Sequence, residues 1–422
     1  MTRGVRRLLA LGAAATVALA LGACGSSDDG GSGGDGGGTL RVAAPVLGPK
    51  GPDNPLNVLA RRFESANPGT KVRVTMTSYE QYDPTLRVQI SGGQPPDVIQ
   101  NAIGYGSSTS TLPLARANAL ADLSDSPWAR TLPESLRETL GFDGRVFTLP
   151  GVYTIIGAVY NRTAMEADGV RLPTSYDELL TLCRDVRASG KTLIALGGLV
   201  DYNIQNLIFT QVAATMSDEP DFAQRRLDGE VTFSESPGWL QALEQLKEMD
   251  ETGCFGDDPA AVSVDAADQR LATGKSYMGI GLIDRVPAME ALNPRARFGL
   301  APMPGGSADQ TRVPGGAVLG FSVPARAKQV ELAKRFVDFA AEPENAGPLP
   351  AVTGDGGPPQ LPPYASQVQP LLEEERVVPF PDSLWPSPEV SAAMRTGMQG
   401  MLSGQGDPRA ILKSMDSAWS SD

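Results

Sequence analysis

The sequence predicts an α/β protein in which parallel strands alternate with helices. From Thr39 onward, short apolar segments with strand character alternate with amphipathic segments of helical period. A strand–helix–strand order requires crossover connections, and these place the two strands parallel in one sheet. The chain has 422 residues, of which 41 % are hydrophobic and 20 % charged, so it can bury the cores of two or three domains.

The first part of the chain shows the alternation most clearly. Strands are predicted at residues 40–44, 72–76 and 98–99. The helix between the first two is indicated by apolar residues at positions i, i+3, i+4 and i+7: Leu56, Leu59, Ala60 and Phe63. Asn67-Pro68-Gly69 ends that helix, and residues 82–90 form the next predicted one.

Further helices are predicted downstream at residues 176–188, 239–252 and 329–341. Trp239, Leu243 and Leu246 lie on the inward face of the second. A final helical pair begins near Pro388 and at Asp407-Pro408, since Asp is a favourable N-cap and Pro a favourable first helical residue. Clusters of Pro and Gly at residues 303–306, 314–316 and 354–363 predict loops or crossovers.

Composition excludes several function classes. The chain has no His, so Ser-His-Asp catalysis, Cys-His catalysis and His-ligated metal sites are excluded. Acidic residues number 49 against 36 basic, and the net charge of −13 argues against nucleic acid as a partner. The segment ending in Gly274-Lys275-Ser276 fails as a phosphate-binding loop because Gln269 replaces its first glycine. We expect no metal and no cofactor.

The N-terminus indicates export. Arg3, Arg6 and Arg7 precede an apolar stretch from residue 8 to 21, shorter than the roughly 20 residues that span a bilayer. Residues 1–23 are therefore a predicted signal peptide, by general secretion or by the twin-arginine route. The sequence Leu21-Gly22-Ala23-Cys24 resembles the lipobox of bacterial lipoproteins, which implies a lipid on Cys24. Residues 24–38 would then be a flexible tether to the outer face of the cell membrane.

Two cysteines remain, Cys183 and Cys254. An even pair in an exported chain predicts a disulfide. The alternative is a free buried thiol, since Cys183 lies on an apolar stripe with Leu179, Leu182 and Val186. We favour the disulfide because cysteine is otherwise avoided in the chain.

Six segments in order resemble the extracellular solute-binding proteins of ABC importers, in the carbohydrate-type family that includes maltose-binding protein. They are Phe63-Glu64-Ser65-Ala66-Asn67-Pro68-Gly69-Thr70-Lys71-Val72, Ser91-Gly92-Gly93-Gln94-Pro95-Pro96-Asp97-Val98, Leu149-Pro150 with Tyr160-Asn161, Pro173-Thr174-Ser175-Tyr176-Asp177-Glu178-Leu179, Leu271-Ala272-Thr273-Gly274-Lys275-Ser276-Tyr277-Met278, and Gly315-Gly316 before Phe321-Ser322-Val323-Pro324. The resemblance implies a two-lobe α/β fold like that of periplasmic binding proteins, with a ligand cleft between the lobes and hinge crossovers. Lobe one would comprise residues 39–150 and 316–352, and lobe two residues 151–314 and 353–422.

The resemblance also implies a function. The chain would be a lipid-anchored monomer that captures a small solute, a sugar or oligosaccharide above all, by closing its cleft, and would deliver that solute to the membrane subunits of an ABC permease. It would not be an enzyme. Two alternatives stay open: a surface-tethered glycoside hydrolase using paired carboxylates, and a lipid-anchored sensor that signals through a membrane receptor.

Candidate ligand-binding residues follow from how proteins hold sugars. An apolar sugar face stacks on an aromatic ring while planar polar side chains satisfy the hydroxyls, because a buried unpaired hydroxyl costs about 1–3 kcal/mol. We chose aromatic and polar residues, with the Gly pair of the last crossover, where the family resemblance puts its contacts: Lys50, Asp53, Asn101, Tyr105, Tyr153, Thr154, Tyr202, Asn203, Gln205, Asp284, Arg285, Gly315, Gly316 and Trp385. Trp385 is the expected stacking ring, whereas Trp239 and Trp419 are expected in the core. For each candidate, a turn position or a partly buried aromatic is the competing interpretation.

Overall fold

The computed structural model describes residues 38–46, 51–132, 137, 139–199, 201–219, 221–345 and 360–419. The predicted signal peptide, Cys24, the tether and Lys50 lie outside the described residues, as does most of the predicted 354–363 loop. The elements below all belong to one compact unit, Gly37–Asp422. Among the helices that the structure describes, none is long and apolar enough to cross a membrane.

One long mixed sheet organises the chain, in the strand order β2-β1-β3-β10-β6-β8-β7. Its strands are β1 (Thr39–Pro45), β2 (Lys71–Thr77), β3 (Val98–Ala102), β6 (Thr148–Asn161), β7 (Thr192–Ala195), β8 (Ser276–Leu282) and β10 (Val313–Ser322). Two short strands join its side, since β9 (Phe298–Ala301) pairs with β6 and β11 (Val377–Val378) pairs with β10. A separate hairpin consists of β4 (Gly141–Phe142) and β5 (Arg145–Val146). The three strands predicted near the N-terminus are confirmed as β1, β2 and β3, and β1 is parallel to both others.

Helices pack on both faces of this sheet. They are α1 (Pro55–Ala66), α2 (Tyr79–Ser91), α3 (Thr111–Arg116), α4 (Arg162–Asp168), α5 (Tyr176–Ala188), α6 (Asp201–Thr215), α7 (Phe222–Leu227), α8 (Pro237–Thr252), α9 (Val264–Ala272), α10 (Arg285–Leu292), α11 (Val330–Ala341), α12 (Gln369–Glu373), α13 (Pro388–Leu402) and α14 (Pro408–Trp419). The predicted helix at 176–188 is confirmed with the same bounds as α5. It begins at Tyr176 because Ser175 Oγ caps its N-terminus by accepting the Glu178 N–H at 3.3 Å. The predicted α/β class is therefore confirmed.

Strands β6 and β10 carry the sheet from one half of the molecule to the other. They run antiparallel to each other from Gly315 opposite Ile155 to Ser322 opposite Thr148, with an irregularity around Val318. The sheet is thus mixed, whereas the alternation alone predicts a parallel one. Pro314–Gly316 lies inside β10, so the crossover is a strand and the loop prediction there is wrong. The reason is close packing: a Cβ at Gly315 would lie 2.9 Å from Val377 Cγ1 and 3.1 Å from the Thr154 carbonyl oxygen.

The buried apolar residues form separate clusters in the two halves. In one, Leu40 on β1 and Phe63 on α1 pack with Phe336 on α11, although these residues are far apart in sequence. The Phe63 and Phe336 rings meet edge to face at 5.1 Å between centroids. In the other half, residues of β6 and β8 pack with α5, α6, α8, α13 and α14.

The predicted disulfide is confirmed. Cys183 on α5 bonds to Cys254, which lies two residues beyond the C-terminal end of α8, and the two Cα atoms are 4.8 Å apart. Both residues are buried. Because the sequence separation is 71, the bond closes a long loop and fixes α5 against α8. Trp239, at 2 % exposure, is confirmed in the core.

Candidate functional site

The carboxyl ends of two sets of strands converge on one stretch of β6 and β10. Strand β3 ends at Ala102, which pairs with Leu319, and Leu319 in turn pairs with Val152. Strand β8 ends at Leu282, which pairs with Ile156. Strand β3 thus ends level with Val152 of β6, and β8 ends beside Ile156 of the same strand. Residues 153–155 of β6 and 315–318 of β10 lie between these two strand ends. Open α/β sheets bind ligands beyond the carboxyl ends of their strands, so we call this stretch the junction and take it as the candidate site.

Four predicted residues are brought together at the junction itself. Thr154 pairs with Gly316, and its neighbours Tyr153 and Gly315 lie on the same two strands. Tyr153 is partly buried, and this burial raises the pKa of its hydroxyl to about 12. Gly316 has a φ of +146°, and no heavy atom of the described residues would lie within 4 Å of a Cβ there. The backbone at Gly316 is therefore open to a bound molecule.

Asp284 and Arg285 lie two and three residues beyond the end of β8, but the structure gives them different surroundings. Asp284 is exposed to solvent, and partial desolvation of its carboxyl group by nearby protein atoms raises its pKa. Arg285 donates to the Ile280 carbonyl oxygen at 3.1 Å and forms an ion pair with Asp268. Asp284 is thus available at the edge of the junction, whereas the guanidinium of Arg285 is bound inside its own lobe.

Two predicted amides hold loops and do not face open space. Asn101 donates to the Thr109 carbonyl oxygen at 3.3 Å and accepts from Ser322 Oγ at 2.8 Å. Asn203 is fully buried, accepts the Gly197 N–H at 3.1 Å and donates to the Ile280 carbonyl oxygen at 3.4 Å. Since both ends of each side chain are used within the protein, the structure supports the competing interpretation, a turn or loop anchor, for both.

Two predicted residues flank the junction on opposite sides. Tyr105 follows β3, and its ring lies 4.8 Å from the guanidinium carbon of Arg116, which also lies 5.5 Å from the Phe142 ring. Burial raises the pKa of the Tyr105 hydroxyl. Tyr202, at the start of α6, is 37 % exposed. Phe142, which the sequence analysis missed, and Tyr202 are each 37 % exposed and can stack on a ligand. Tyr105 is only 7 % exposed and Arg116 lies over its ring, so it is buried in this conformation.

Asp53 lies farther along the same edge, in the exposed turn between β1 and α1. It follows the carboxyl end of β1, so the topology puts it on the same side of the sheet as the junction. The structure gives it no contact with the residues above. Its place in the site stays a prediction.

Trp385 is a correction to the predicted site. It is 4 % exposed, and its ring centroid lies 5.4 Å from that of Phe233 and 5.8 Å from that of Trp239. The sequence places Trp385 in a Pro-rich segment, where exposure is expected, but the fold packs that segment onto α6 and α8. The ring therefore presents no face to a solute in this conformation.

Two polar residues that the sequence analysis did not select lie beside Gln205. The Gln205 amide nitrogen Nε2 donates to Asp382 Oδ2 at 3.0 Å, and Gln205 Oε1 accepts from Arg395 Nη1 at 3.0 Å. Burial raises the pKa of Asp382 to about 6, while Arg395 and Gln205 act in the opposite direction. Nothing in the sequence separates Asp382 from the other acidic residues, because its neighbours come from helices remote along the chain.

The fold and the junction define a two-lobe solute-binding protein. Two α/β halves share crossing strands, and the strand ends of both halves meet at one place. The chain belongs to the family of bacterial extracellular solute-binding proteins, whose profile matches residues 50–347.

Individual relatives agree with this assignment. The chain is 28 % identical over 373 residues to the diacetylchitobiose binding protein DasA of Streptomyces coelicolor, covering 83 % of this chain and 81 % of that protein. Among solved structures, a chitin oligosaccharide binding protein has a TM-score of 0.75 at 19 % identity and covers 92 % of this chain and 98 % of that one. RafE in complex with raffinose has a TM-score of 0.70 at 19 % identity, with 90 % and 98 % covered. These structures confirm the predicted two-lobe fold.

Proposed function

We propose that this chain captures a sugar or oligosaccharide at the junction by closing two lobes around it, and hands it to the membrane subunits of an ABC permease. The observation that carries the proposal is the convergence of strand ends from both halves on Tyr153, Thr154 and Gly316. Relatives that bind diacetylchitobiose and raffinose support a sugar as the solute.

We propose that the lobes have the boundaries predicted from the sequence, residues 39–150 with 316–352 and residues 151–314 with 353–422. The separate apolar clusters support this division, since one is built around Leu40 and Phe336 and another around β6, β8 and α8. A solute can drive closure only if it binds the closed state more tightly, so it must contact both lobes. Phe142 on one side and Tyr202 with Asp284 on the other have the exposed side chains that such contacts need.

We further propose that the chain binds its solute without chemical turnover and is anchored through Cys24. Its family consists of solute-binding proteins, which supports binding without turnover. The order of charged, apolar and lipobox residues before Cys24 supports the anchor. A Cys24→Ala variant expressed in a bacterial host should then be recovered from the medium or the soluble extracytoplasmic fraction, whereas the wild-type chain should sediment with membranes.

The central test uses a Cys24→Ser chain that begins at residue 24. Titration calorimetry with diacetylchitobiose, raffinose, stachyose, a uronate and a sugar phosphate measures binding. Small-angle scattering with and without the sugar that binds measures closure. We expect binding by at least one sugar and a smaller radius of gyration in its presence. Absence of binding across neutral and charged sugars would refute sugar capture. Release of new reducing ends during incubation would instead favour the glycoside hydrolase.

A further inference from the structure

We propose that Asp382 is a ligand-binding residue that accepts hydrogen bonds from the hydroxyl groups of a neutral sugar. Gln205 and Arg395 would act as positioning residues behind it. This inference rests on the proposed sugar-binding function and adds to it a named acceptor and a preference for uncharged sugars.

The three side chains form one directed chain of hydrogen bonds. Arg395 on α13 donates to the Gln205 carbonyl oxygen Oε1, and the Gln205 amide donates to Asp382 Oδ2, each at 3.0 Å. The amide orientation is fixed chemically, because the opposite one would place an amide oxygen against a carboxylate and an NH₂ group against a guanidinium. Asp382 is thus held by α6 and α13, two helices that do not contain it.

The carboxylate lies beside the junction. Asp382 belongs to the turn Pro381–Leu384. The Ser383 carbonyl oxygen in this turn accepts the Tyr105 N–H at 3.3 Å. Gly104 approaches it so closely that a Cβ there would lie 2.1 Å from the Ser383 carbonyl oxygen. The next residue back, Ile103, donates to the Val318 carbonyl oxygen on β10 at 3.0 Å. The turn is therefore seated on the loop that follows β3, one residue from the strand that crosses the junction.

Hydrogen-bonding capacity at Asp382 exceeds what the described residues use. A carboxylate has about four acceptor positions. Among the described residues, one is taken by the Gln205 amide, and the Asp382 backbone also contributes. A carboxylate desolvated by the protein is stabilised by each further donor, and sugar hydroxyls are donors of that kind.

The charge of the site indicates the class of sugar. Asp284 lies at the end of β8 and Asp382 lies beside the end of β3, so carboxyl groups flank the junction from both sides. A uronate or a sugar phosphate would bring a like charge toward them, whereas neutral hydroxyl groups donate to them. The geometry therefore favours neutral oligosaccharides.

The test compares Asp382→Asn with a matched control. Asp250→Asn removes another carboxyl group whose burial raises its pKa to about 6, but Asp250 lies near the end of α8, next to the N-terminal end of β7 and away from the junction. The probe is the neutral sugar that gives the largest heat with the wild-type chain among diacetylchitobiose, raffinose and stachyose. At about pH 7, we expect Asp382→Asn to weaken binding about 10- to 100-fold and Asp250→Asn to change it less than about twofold.

A pH series separates a ligand contact from a purely structural role. Among the described residues, Arg395 from α13, the neutral Gln205 amide from α6 and the Asp382 backbone act on the Asp382 carboxyl group, and its pKa is about 6. Helix α7, which carries Arg225 and Arg226, also packs on this turn, and an arginine stays charged over the pH range of the test. Wild-type affinity should fall severalfold between about pH 7 and pH 5 as the acceptor is protonated, and the Asp250→Asn protein should follow it. Where Asp382→Asn folds, its affinity should stay flat over that range.

Six results are decisive. Weakened binding in Asp382→Asn with wild-type thermal stability supports the inference, and unchanged affinity overturns it. If that variant is too unstable to titrate, the wild-type series decides, since a flat profile overturns the inference and a fall supports it. Tighter binding of a uronate or sugar phosphate than of any neutral sugar overturns the inference while leaving solute capture intact. Failure of the wild-type chain to bind any sugar refutes the proposed function instead.

Discussion

Replacing Gly104 with Ala should destabilise the protein much more than the same change at an equally left-handed glycine elsewhere. Gly104 has a φ of +74°, which costs an L-residue about 1–2 kcal/mol. An added Cβ would lie 2.1 Å from the Ser383 carbonyl oxygen, so the turn and the loop must separate by about 1 Å to reach an ordinary contact. The Tyr105 N–H to Ser383 hydrogen bond, worth about 1 kcal/mol, would then be lost. Adding about 1–3 kcal/mol for overpacking, we expect a loss of about 3–6 kcal/mol.

Gly190→Ala is the matched control. Gly190 has a φ of +78°, and no heavy atom of the described residues would lie within 4 Å of its Cβ. It therefore carries the backbone cost of about 1–2 kcal/mol without the clash. Urea unfolding followed by tryptophan fluorescence measures both variants against wild type. Equal destabilisation of the two proteins would refute the close approach of the Ser383 turn to Gly104.

Three further predictions follow from buried groups. In a Cys24→Ser background, Cys183 and Cys254 should resist alkylation until reductant is added. Reduction should lower the free energy of unfolding by on the order of 4 kcal/mol. Two freely labelled thiols in the unreduced protein would contradict the disulfide. Trp385→Ala should lower the free energy of unfolding by about 3–5 kcal/mol, because the Trp385 ring packs on Phe233 and Trp239. Tyr202→Ala, the control, should barely change it. A fully stable Trp385→Ala protein with weakened sugar binding would show that Trp385 belongs to the binding site. Burial and the neighbouring Glu251 raise the pKa of Asp250 from 3.8 to about 6. The folded state therefore holds this proton more tightly than the unfolded state, and stability is lost as pH rises through about 6. Asp250→Asn should raise the unfolding midpoint at about pH 7 but not at about pH 4, and an equal change at both pH values would exclude the burial of this carboxyl group.

Local signals in the sequence identify most of the individual elements. The i, i+3, i+4, i+7 pattern at Leu56, Leu59, Ala60 and Phe63 matches the buried face of α1, and Ser175 marks the start of α5. These signals work because caps and apolar periodicity act within one or two turns. The strand character of residues 314–316 is not predicted in this way, since it depends on Val377 and Thr154, from distant parts of the chain, packing against Gly315.

The candidate site is less predictable for a physical reason. Asn101 and Asn203 have the residue type that sugar sites use, yet each is consumed by a loop that needs the same hydrogen bonds. Trp385 looks exposed beside Pro386 and becomes buried once α8 and the Phe233 segment fold over it. Asp382 differs from the other acidic residues only in the folded protein, where α6 and α13 place Gln205 and Arg395 beside it. Residue type and local context predict candidates, but tertiary packing decides which side chains remain available.

The core around Phe63 and Phe336 has a consequence for the order in which the chain can fold. This core draws on β1 and α1 near the start of the chain and on α11 near its end. At roughly 5–20 residues per second, on the order of 15–60 s of synthesis separates the emergence of the two rings from the ribosome. During that interval the N-terminal half cannot complete its apolar packing, and such distant contacts form slowly. Truncation anywhere before Ala341 should therefore leave the first half, and not only the last, without a finished core.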